Sequence, residues 1–309
     1  MRTLVQIHTW NDADVIYQAI EAILRQTAEV EEVLIVDNAS SDCTADLTYP
    51  DIVTVVKHKC NLGTSGSVKS GIEYARAHSY DWIWVLDADS RPRPDALELL
   101  IGAVQREERI DIGVVCSSHN LVRLGQALHG RVLTPGGPRL PKLDPDQDLL
   151  ECDSVIWSGA LINVRVVDRV GLPRTGSHGS WEDLSLDYGD IEYSYRIHRA
   201  GYRIIVHRKS LIDHPIGSGL HRRVLGHDFY SSNHSAFRRY LYFRNLVYFW
   251  LRVYERRNWP ILLIWFAYRL GAVLIGILLL EQERRLKLRA CFSGIFDGLR
   301  NEMEATFPK

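Results

Sequence analysis

The strongest constraint on the fold of this chain is a repeated placement. In the first ~110 residues, short β-prone runs recur, and three of the four lead into polar clusters carrying acidic or amide side chains. The runs are Leu4 to Ile7, Val33 to Val36, Val53 to Val56 and Trp82 to Leu86. Helical spacing lies between them. Ala13 to Arg25 carries Val15, Ile16, Ala19, Ile20 and Ile23 on one side; Ser67 to Ala77 and Asp95 to Gln105 follow, with Pro94 near the start of the last. Alternating strands and helices predict an α/β fold, a mostly parallel central sheet flanked by helices and built from right-handed crossovers. Ligands of such sheets bind beyond the carboxyl ends of the strands. The clusters Thr9-Trp10-Asn11, Asp37-Asn38 and Asp87-Ala88-Asp89 all fall at such ends.

The length of 309 residues allows one large α/β domain with an appendage, or two domains. A net charge of -1 provides no basic field for nucleic acid. The cysteines, Cys43, Cys60, Cys116, Cys152 and Cys291, are odd in number and contain no C-x-x-C pair. That argues against a zinc site or a disulfide framework and for a reducing compartment. The first apolar run turns polar at His8, too early for a signal peptide, so the N-terminal part is expected in the cytoplasm.

Further along, residues 134–148 read as a Pro-, Gly- and Asp-rich loop over a site, and Val155 to Val164 as a sheet element. Gly171 to Ser180 reads as a mobile loop, and Ile191 to Ala200 as a helix stopped by Gly201. Trp259 to Leu280 is almost wholly apolar, broken by Arg269 and flanked by Arg252, Arg256, Arg257, Arg284, Arg285, Lys287 and Arg289. It is long enough to span a bilayer, but a central arginine costs about 2.5–3.5 kcal/mol on an insertion scale. An interfacial helix or helical hairpin is the preferred expectation; the alternative is a buried helix covering the main domain.

Asp87-Ala88-Asp89 directly follows an apolar strand, where the turning backbone lets both carboxylates reach one site. Hard Mg²⁺ or Mn²⁺ prefers such oxygens and neutralises a diphosphate. Asp37 and Asn38 are placed to bond a base or ribose. Asn61-Leu62-Gly63-Thr64-Ser65-Gly66-Ser67, with Lys69, opens a helix whose N-terminus suits phosphate. It matches neither a Walker A loop nor G-x-G-x-x-G.

In order and spacing, Thr9-Trp10-Asn11, Val36 to Asp42, Asn61-Leu62-Gly63 and Leu86 to Asp89 resemble family 2 glycosyltransferases of the GT-A fold. Asp187-Tyr188-Gly189-Asp190-Ile191-Glu192-Tyr193-Ser194-Tyr195-Arg196, His214-Pro215-Ile216-Gly217 and Tyr242-Phe243-Arg244-Asn245 resemble their rhamnosyl- and galactofuranosyl-transferase branch. The resemblance implies that Trp10 stacks on the base and that Thr9, Asn11, Asp37, Asn38, Asn61, Gly63, Lys69 and Ala88 surround the donor. It further implies that Asp87, Asp89 and His214 hold Mg²⁺ or Mn²⁺, and that Asp190 is the general base of an inverting transfer. Trp157, Gly159, Gly189, Glu192 and Arg196 are then the acceptor side, with Glu192 and Arg196 open to the simpler reading of an ion pair. Trp181-Glu182-Asp183 is a rival acidic motif. Residues 1–110 become the nucleotide-sugar half, 111–235 the acceptor half and 236–309 a helical membrane-associating segment. The implied donor is dTDP-rhamnose or UDP-galactofuranose, and the acceptor a glycan or polyprenyl-linked glycan at the cytoplasmic membrane face. No Q-x-x-R-W pattern of processive synthases occurs. Two other readings are a sugar nucleotidyltransferase, disfavoured by the acidic loop after the first strand, and a non-catalytic nucleotide-sugar binder.

Overall fold

A computed structural model describes residues 1–106, 111–121, 125–127, 129–144, 146–176, 183–214, 219–224, 227–305 and 307. The N-terminal half runs β1 (Thr3–Thr9), α1 (Ile16–Leu24), β2 (Val33–Asp37), β3 (Val53–Lys57), α2 (Gly63–Ala77), β4 (Trp82–Asp87), β5 (Arg91–Pro92) and α3 (Ala96–Arg106). Then come β6 (Ile112–Leu121), β7 (Gly125–Ala127), β8 (Val132–Thr134), β9 (Gly137–Arg139), β10 (Leu149–Cys152), β11 (Ala160–Asn163), α4 (Val167–Val170), α5 (Gly189–Arg199) and β12 (Arg203–His214). The chain closes with β13 (Leu220–Val224), β14 (His227–Ser231), α6 (Ala236–Tyr248), α7 (Trp259–Leu280) and α8 (Arg284–Arg300).

The main sheet has the order β10-β12-β6-β11-β4-β1-β2-β3. Its β3-β2-β1-β4 half is parallel, as alternating strands and helices require. β11 then enters antiparallel between β4 and β6, and β12 runs parallel to β6. Buried β1, β2 and β4 side chains pack against α1 and α3 on one face and against α2 on the other. The strands are apolar on both faces because helices cover both.

Three expectations need correction. Between Val155 and Val164 only Ala160–Asn163 is strand, because Gly159 takes a positive φ of 85° and breaks the extended chain before it. Residues 134–148 are not only loop: they include β9, paired in a hairpin with β8 and packed on α7 rather than over the strand ends. The helix expected from Ser67 begins four residues earlier, at Gly63. Of Gly171 to Ser180, residues 177–180 lie outside the described residues, as do Trp181 and Glu182 of the rival acidic motif.

Helices α6 and α8 pack on each other, and α6 with the turn after it meets α5 through Tyr188, Tyr195, Leu246 and Phe249. Glu281, at the turn between α7 and α8, has a fully buried side chain held by Arg239 at 2.6 Å and by Lys287 at 2.8 Å. This network fixes the hairpin, since a buried carboxylate stripped of its partners is strongly destabilising. α7 has a mean hydropathy of 2.2, yet only 17% of its most apolar stretch is buried. The reading as a core helix therefore fails. Among the described residues α7 is the one helix long and apolar enough to cross a membrane.

Candidate active site

Strand register builds one wall of the site. β1 and β4 pair so that His8 lies opposite Asp87, and β1 and β2 so that Thr9 lies opposite Asp37. The polar ends of three strands therefore finish level. β5 then turns back and pairs with the end of β12, Asp213 opposite Arg91. That pairing carries His214 across the chain to the end of β4.

His214 Nε2 lies 3.2 Å from Asp87 Oδ2 and 3.2 Å from Asp89 Oδ1. Ligand atoms of Asp87, Asp89 and His214 all fall within 4.8 Å of one another. Two carboxylate oxygens and an imidazole nitrogen on half-buried side chains fit a hard divalent cation such as Mg²⁺ or Mn²⁺, with positions left for a substrate's oxygens. His8, absent from the sequence-based expectations, lies with Nε2 2.5 Å from Asp87 Oδ1. Burial opposes ionisation of Asp87, but His8 and His214 outweigh it and hold the carboxyl well below its usual range. Burial likewise opposes charge on His214, and its bonds to Asp87 and Asp89 outweigh it, lifting the imidazole to about 10. Behind them, burial pushes His119 down to about 3 and His129 to about 4, so both are neutral. His119 Nε2 meets Ser158 Oγ at 3.1 Å, and Ser158 Oγ meets Ser90 Oγ at 3.1 Å.

The opposite wall is the start of α5. Asp190 accepts the N–H of Ile191 at 2.8 Å. Burial, reinforced by the charges of Asp187 and Asp87, pushes its carboxyl up to about 7. Asp87 and Asp190 line the same cleft, about 350 Å³ in volume, with Trp157, His129, Gly189 and Arg238. Arg238 was not anticipated; it grips Asp187 through two bonds of 3.2 and 3.3 Å and adds a cation to this wall.

The turn before α5 is strained: Asp187 and Tyr188 have φ of 54° and 67°. Left-handed backbone costs a non-glycine residue roughly 1–2 kcal/mol. Asn245 offsets this by donating from its amide to the carbonyls of Leu186 and Asp187, at 2.6 and 2.9 Å. Fully buried Arg244 donates to the Asp183 carbonyl at 2.7 Å and to the Met303 carbonyl at 2.8 Å. The Tyr242-Phe243-Arg244-Asn245 motif is thus a strut under the Asp190 turn. The rival Asp183 is held by Arg174 at 2.9 Å and lies outside the cleft lining.

Several expected ligands turn out to be structural. Glu192 is buried and holds Arg196 through bonds of 2.9 and 3.0 Å, and Arg196 also donates to the Val170 and Leu172 carbonyls. Two residues past Asp190 on a helix is a turn of about 200°, so Glu192 faces away from the cleft. Asn38 is spent on backbone, donating to Gly63 O at 2.9 Å and accepting from Leu62 N at 3.0 Å. Asn11 ties its loop to Ser41, Thr9 bonds Asp12, and Asn61 caps Gly63. The first turn of α2 borders the cleft through Thr64 and Ser65, but part of it is engaged by the chain itself. Ser65 donates its N–H to the Ser185 carbonyl, and a Cβ on Gly63 would stand 2.2 Å from that same oxygen. A Cβ on Gly189 would meet Ser65 Oγ at 2.0 Å, so this glycine lets α5 close on α2. Gly159 has the same cause: its missing Cβ makes room for Ile212 and Ser117, not for an acceptor. Lys69 is absent from the cleft lining. Of two further residues, one is open and one is buried. Trp10 is 54% exposed beyond β1, and buried Asp37 keeps one carboxylate oxygen without a hydrogen-bond partner among the described residues. Ala88 is buried between the two acids.

Comparison with known proteins adds independent findings. The model of the family "Glycosyl transferase family 2" matches residues 5–171. Galactofuranosyltransferase GlfT1 of Mycolicibacterium smegmatis is 27% identical over 218 residues, 67% of this chain and 69% of the relative. Succinoglycan biosynthesis protein ExoO of Rhizobium meliloti is 39% identical over 98 residues, 31% of this chain and 27% of the relative. Poly-beta-1,6-N-acetyl-D-glucosamine synthase of Staphylococcus aureus is 25% identical over 202 residues, 63% of this chain and 45% of the relative. The matched stretch is thus less than half the length of the last two. Among solved structures, S. aureus TarS 1-349 superposes with a TM-score of 0.58 at 12% identity, covering 98% of this chain and 82% of that one. GalNAc-T7, solved with UDP, GalNAc and Mn2+, gives 0.56 at 13% identity, covering 73% and 44%. These likenesses show the GT-A fold.

Proposed function

The chain belongs to glycosyl transferase family 2, and on that premise we propose that it moves a sugar from a nucleotide diphosphate donor to a glycan acceptor, with inversion at the anomeric carbon. One observation carries this: Asp87 of the acidic cluster and Asp190, with its carboxyl lifted to about 7, line one cleft from opposite walls. A general base works best with a pKa near the working pH. Asp190 takes the proton of the acceptor hydroxyl, whose oxygen attacks the anomeric carbon while the bond to the diphosphate breaks on the far side. Asp87, Asp89 and His214, the last giving up its proton, would hold a divalent cation, which would supply positive charge to the leaving diphosphate. Before the cation binds, His8 and His214 keep Asp87 ionised and oriented. Arg238 provides a second cation across the cleft. Trp10 stacks on the base, and the unpartnered oxygen of Asp37 accepts from base or ribose.

In this proposal residues 1–110 serve the donor, 111–235 the acceptor, and 236–309 dock on the cytoplasmic face of the membrane. The exposed apolar face of α7 and its basic flanks support the last assignment. The donor is dTDP-rhamnose or UDP-galactofuranose and the acceptor a glycan or polyprenyl-linked glycan of cell-surface polysaccharide synthesis; the likeness to GlfT1 supports this branch. Calorimetry with UDP, dTDP and GDP, each with and without Mn²⁺, tests the proposal on wild type and Asp89→Ala. One nucleotide should bind with Mn²⁺ only, and Asp89→Ala should abolish that binding. Absence of metal-dependent binding for all three would sink the proposal.

A further inference from the structure

A second cleft, also about 350 Å³, lies on the other side of the first turn of α5. Tyr188 and Ile191 line it, while Gly189 and Asp190 between them line the active-site cleft. Tyr188 and Ile191 are only about 5 Å apart along a helix axis, so both clefts share one helical turn as a wall. The remaining lining comes from the β8–β9 hairpin and Arg131 just before it, Ser154 after β10, α6, the turn after it and α7. Tyr242, Trp250 and Trp265 supply aromatic walls, and Arg131 and Arg269 bring two guanidinium groups. Among the described residues the lining contains no carboxylate.

Arg269 is the cation that interrupts the apolar run of α7. Its Nε donates to Tyr242 Oη at 2.9 Å, which fixes the guanidinium at the cleft wall. Burial holds Arg131 below its usual value, and the like charge of Arg269 adds to the effect. Ser154, in the same lining, has a buried hydroxyl with no hydrogen-bond partner among the described residues. Tyr268, itself in the lining, is 75% exposed, and Ile264, one turn back on α7, is 70% exposed. They join the cleft to the apolar surface of that helix.

We propose that this cleft holds the phosphate-bearing end of a lipid-linked acceptor, with Arg131 and Arg269 on the phosphates and the lipid chain leaving along α7. The proposal rests on the transferase reading, because it takes Asp190 as the group that meets the acceptor's hydroxyl. Guanidinium forks match phosphate oxygens in pairs, aromatic faces suit sugar rings, and the exposed face of α7 suits an apolar chain. A neutral glycan answers only the aromatic walls, and free phosphate only the cations.

The test is tryptophan fluorescence of the full chain without divalent cation, titrated with farnesyl diphosphate, farnesol and inorganic pyrophosphate. Farnesyl diphosphate should bind wild type and Asp89→Ala alike. It should bind Arg269→Gln and Arg131→Gln at least about tenfold more weakly, as should farnesol and pyrophosphate to wild type. Mn²⁺-dependent nucleotide binding, unchanged in both arginine variants, reports that they fold. If Arg269→Gln does not fold, Arg269→Lys, which keeps the charge and loses the fork, carries the same comparison. Equal farnesyl diphosphate affinity in the variants, displacement by the donor nucleotide, or pyrophosphate binding as tightly as farnesyl diphosphate overturns the proposal. Loss of nucleotide binding in wild type strikes the transferase reading instead; nucleotide binding without farnesyl diphosphate binding strikes this proposal alone.

Discussion

The two walls of the active-site cleft are made differently. On one wall, Asp87 ends a strand whose register with its parallel neighbours sets His8 beside it and brings the end carrying Asp37 level. Backbone hydrogen bonds position these side chains. On the acceptor wall, Asp190 follows a strained turn held by remote side chains: Asn245 and Arg244 from α6, with Arg238 on Asp187. In the proposed reading, donor geometry is inherited from the sheet, whereas acceptor geometry depends on a few long-range polar bonds. The first wall should tolerate change outside its own ligands, and the second should fail when a distant strut is removed.

The largest effect is expected at Asp190. Asp190→Asn should lower kcat by about 10²–10⁴-fold and leave Mn²⁺-dependent nucleotide binding intact, seen in steady-state kinetics beside calorimetry. In wild type, kcat/KM should fall as pH drops below about 7, where the base becomes protonated. Stability runs the other way. A carboxyl lifted to about 7 in the folded state binds its proton more tightly there than in the unfolded chain. Its contribution to stability is complete below the unfolded value and is lost as pH rises through about 7. Asp190→Asn should therefore exceed wild type in Tm at pH 8, with the margin shrinking toward pH 4; a margin independent of pH would refute the lifted carboxyl.

Next comes the strut. Asn245→Leu deletes two buried bonds beneath the Asp190 turn and should cost about 1–3 kcal/mol in urea unfolding. Its kcat should drop while nucleotide affinity stays, and an equal loss on both sides would dissolve the contrast between the walls. Glu192→Gln comes third. Breaking its paired bonds to Arg196 should cost about 1–3 kcal/mol of stability with the acceptor KM unchanged. A raised acceptor KM would return Glu192 to the acceptor side. Lys69→Ala should be the smallest, within about 0.5 kcal/mol in stability and neutral in nucleotide binding.

The donor wall was legible in the sequence because its determinants are local. Strand runs, helix periods and the acids after them can be read within a few residues, which is why Asp37, Asp87 and Asp89 stand out at strand ends. His8 was readable in principle: once β1 and β4 are taken as neighbours with level ends, it falls beside Asp87. The acceptor wall was read less well. Asp190 stands out only through resemblance, and for Glu192 and Arg196 the structure shows the ion pair that was the simpler reading, because a motif's spacing does not say which helix face meets the cleft. Gly63, Gly159 and Asn38 were read as ligand-facing and instead serve close packing and backbone bonding, a distinction set by what lies opposite each of them.

By itself, the sequence determined the parallel half of the sheet, its polar strand ends, the acidic cluster after β4 and the apolar character of α7, since all of these follow from short-range pattern. Only the tertiary structure decided that His214 meets Asp87 across 127 residues, that Arg238 joins the cleft, and that Arg131 and Arg269 converge beside α5. Those meetings depend on the β5–β12 pairing and on the docking of α6 and α7, contacts whose partners are too far apart along the chain to leave a local signature.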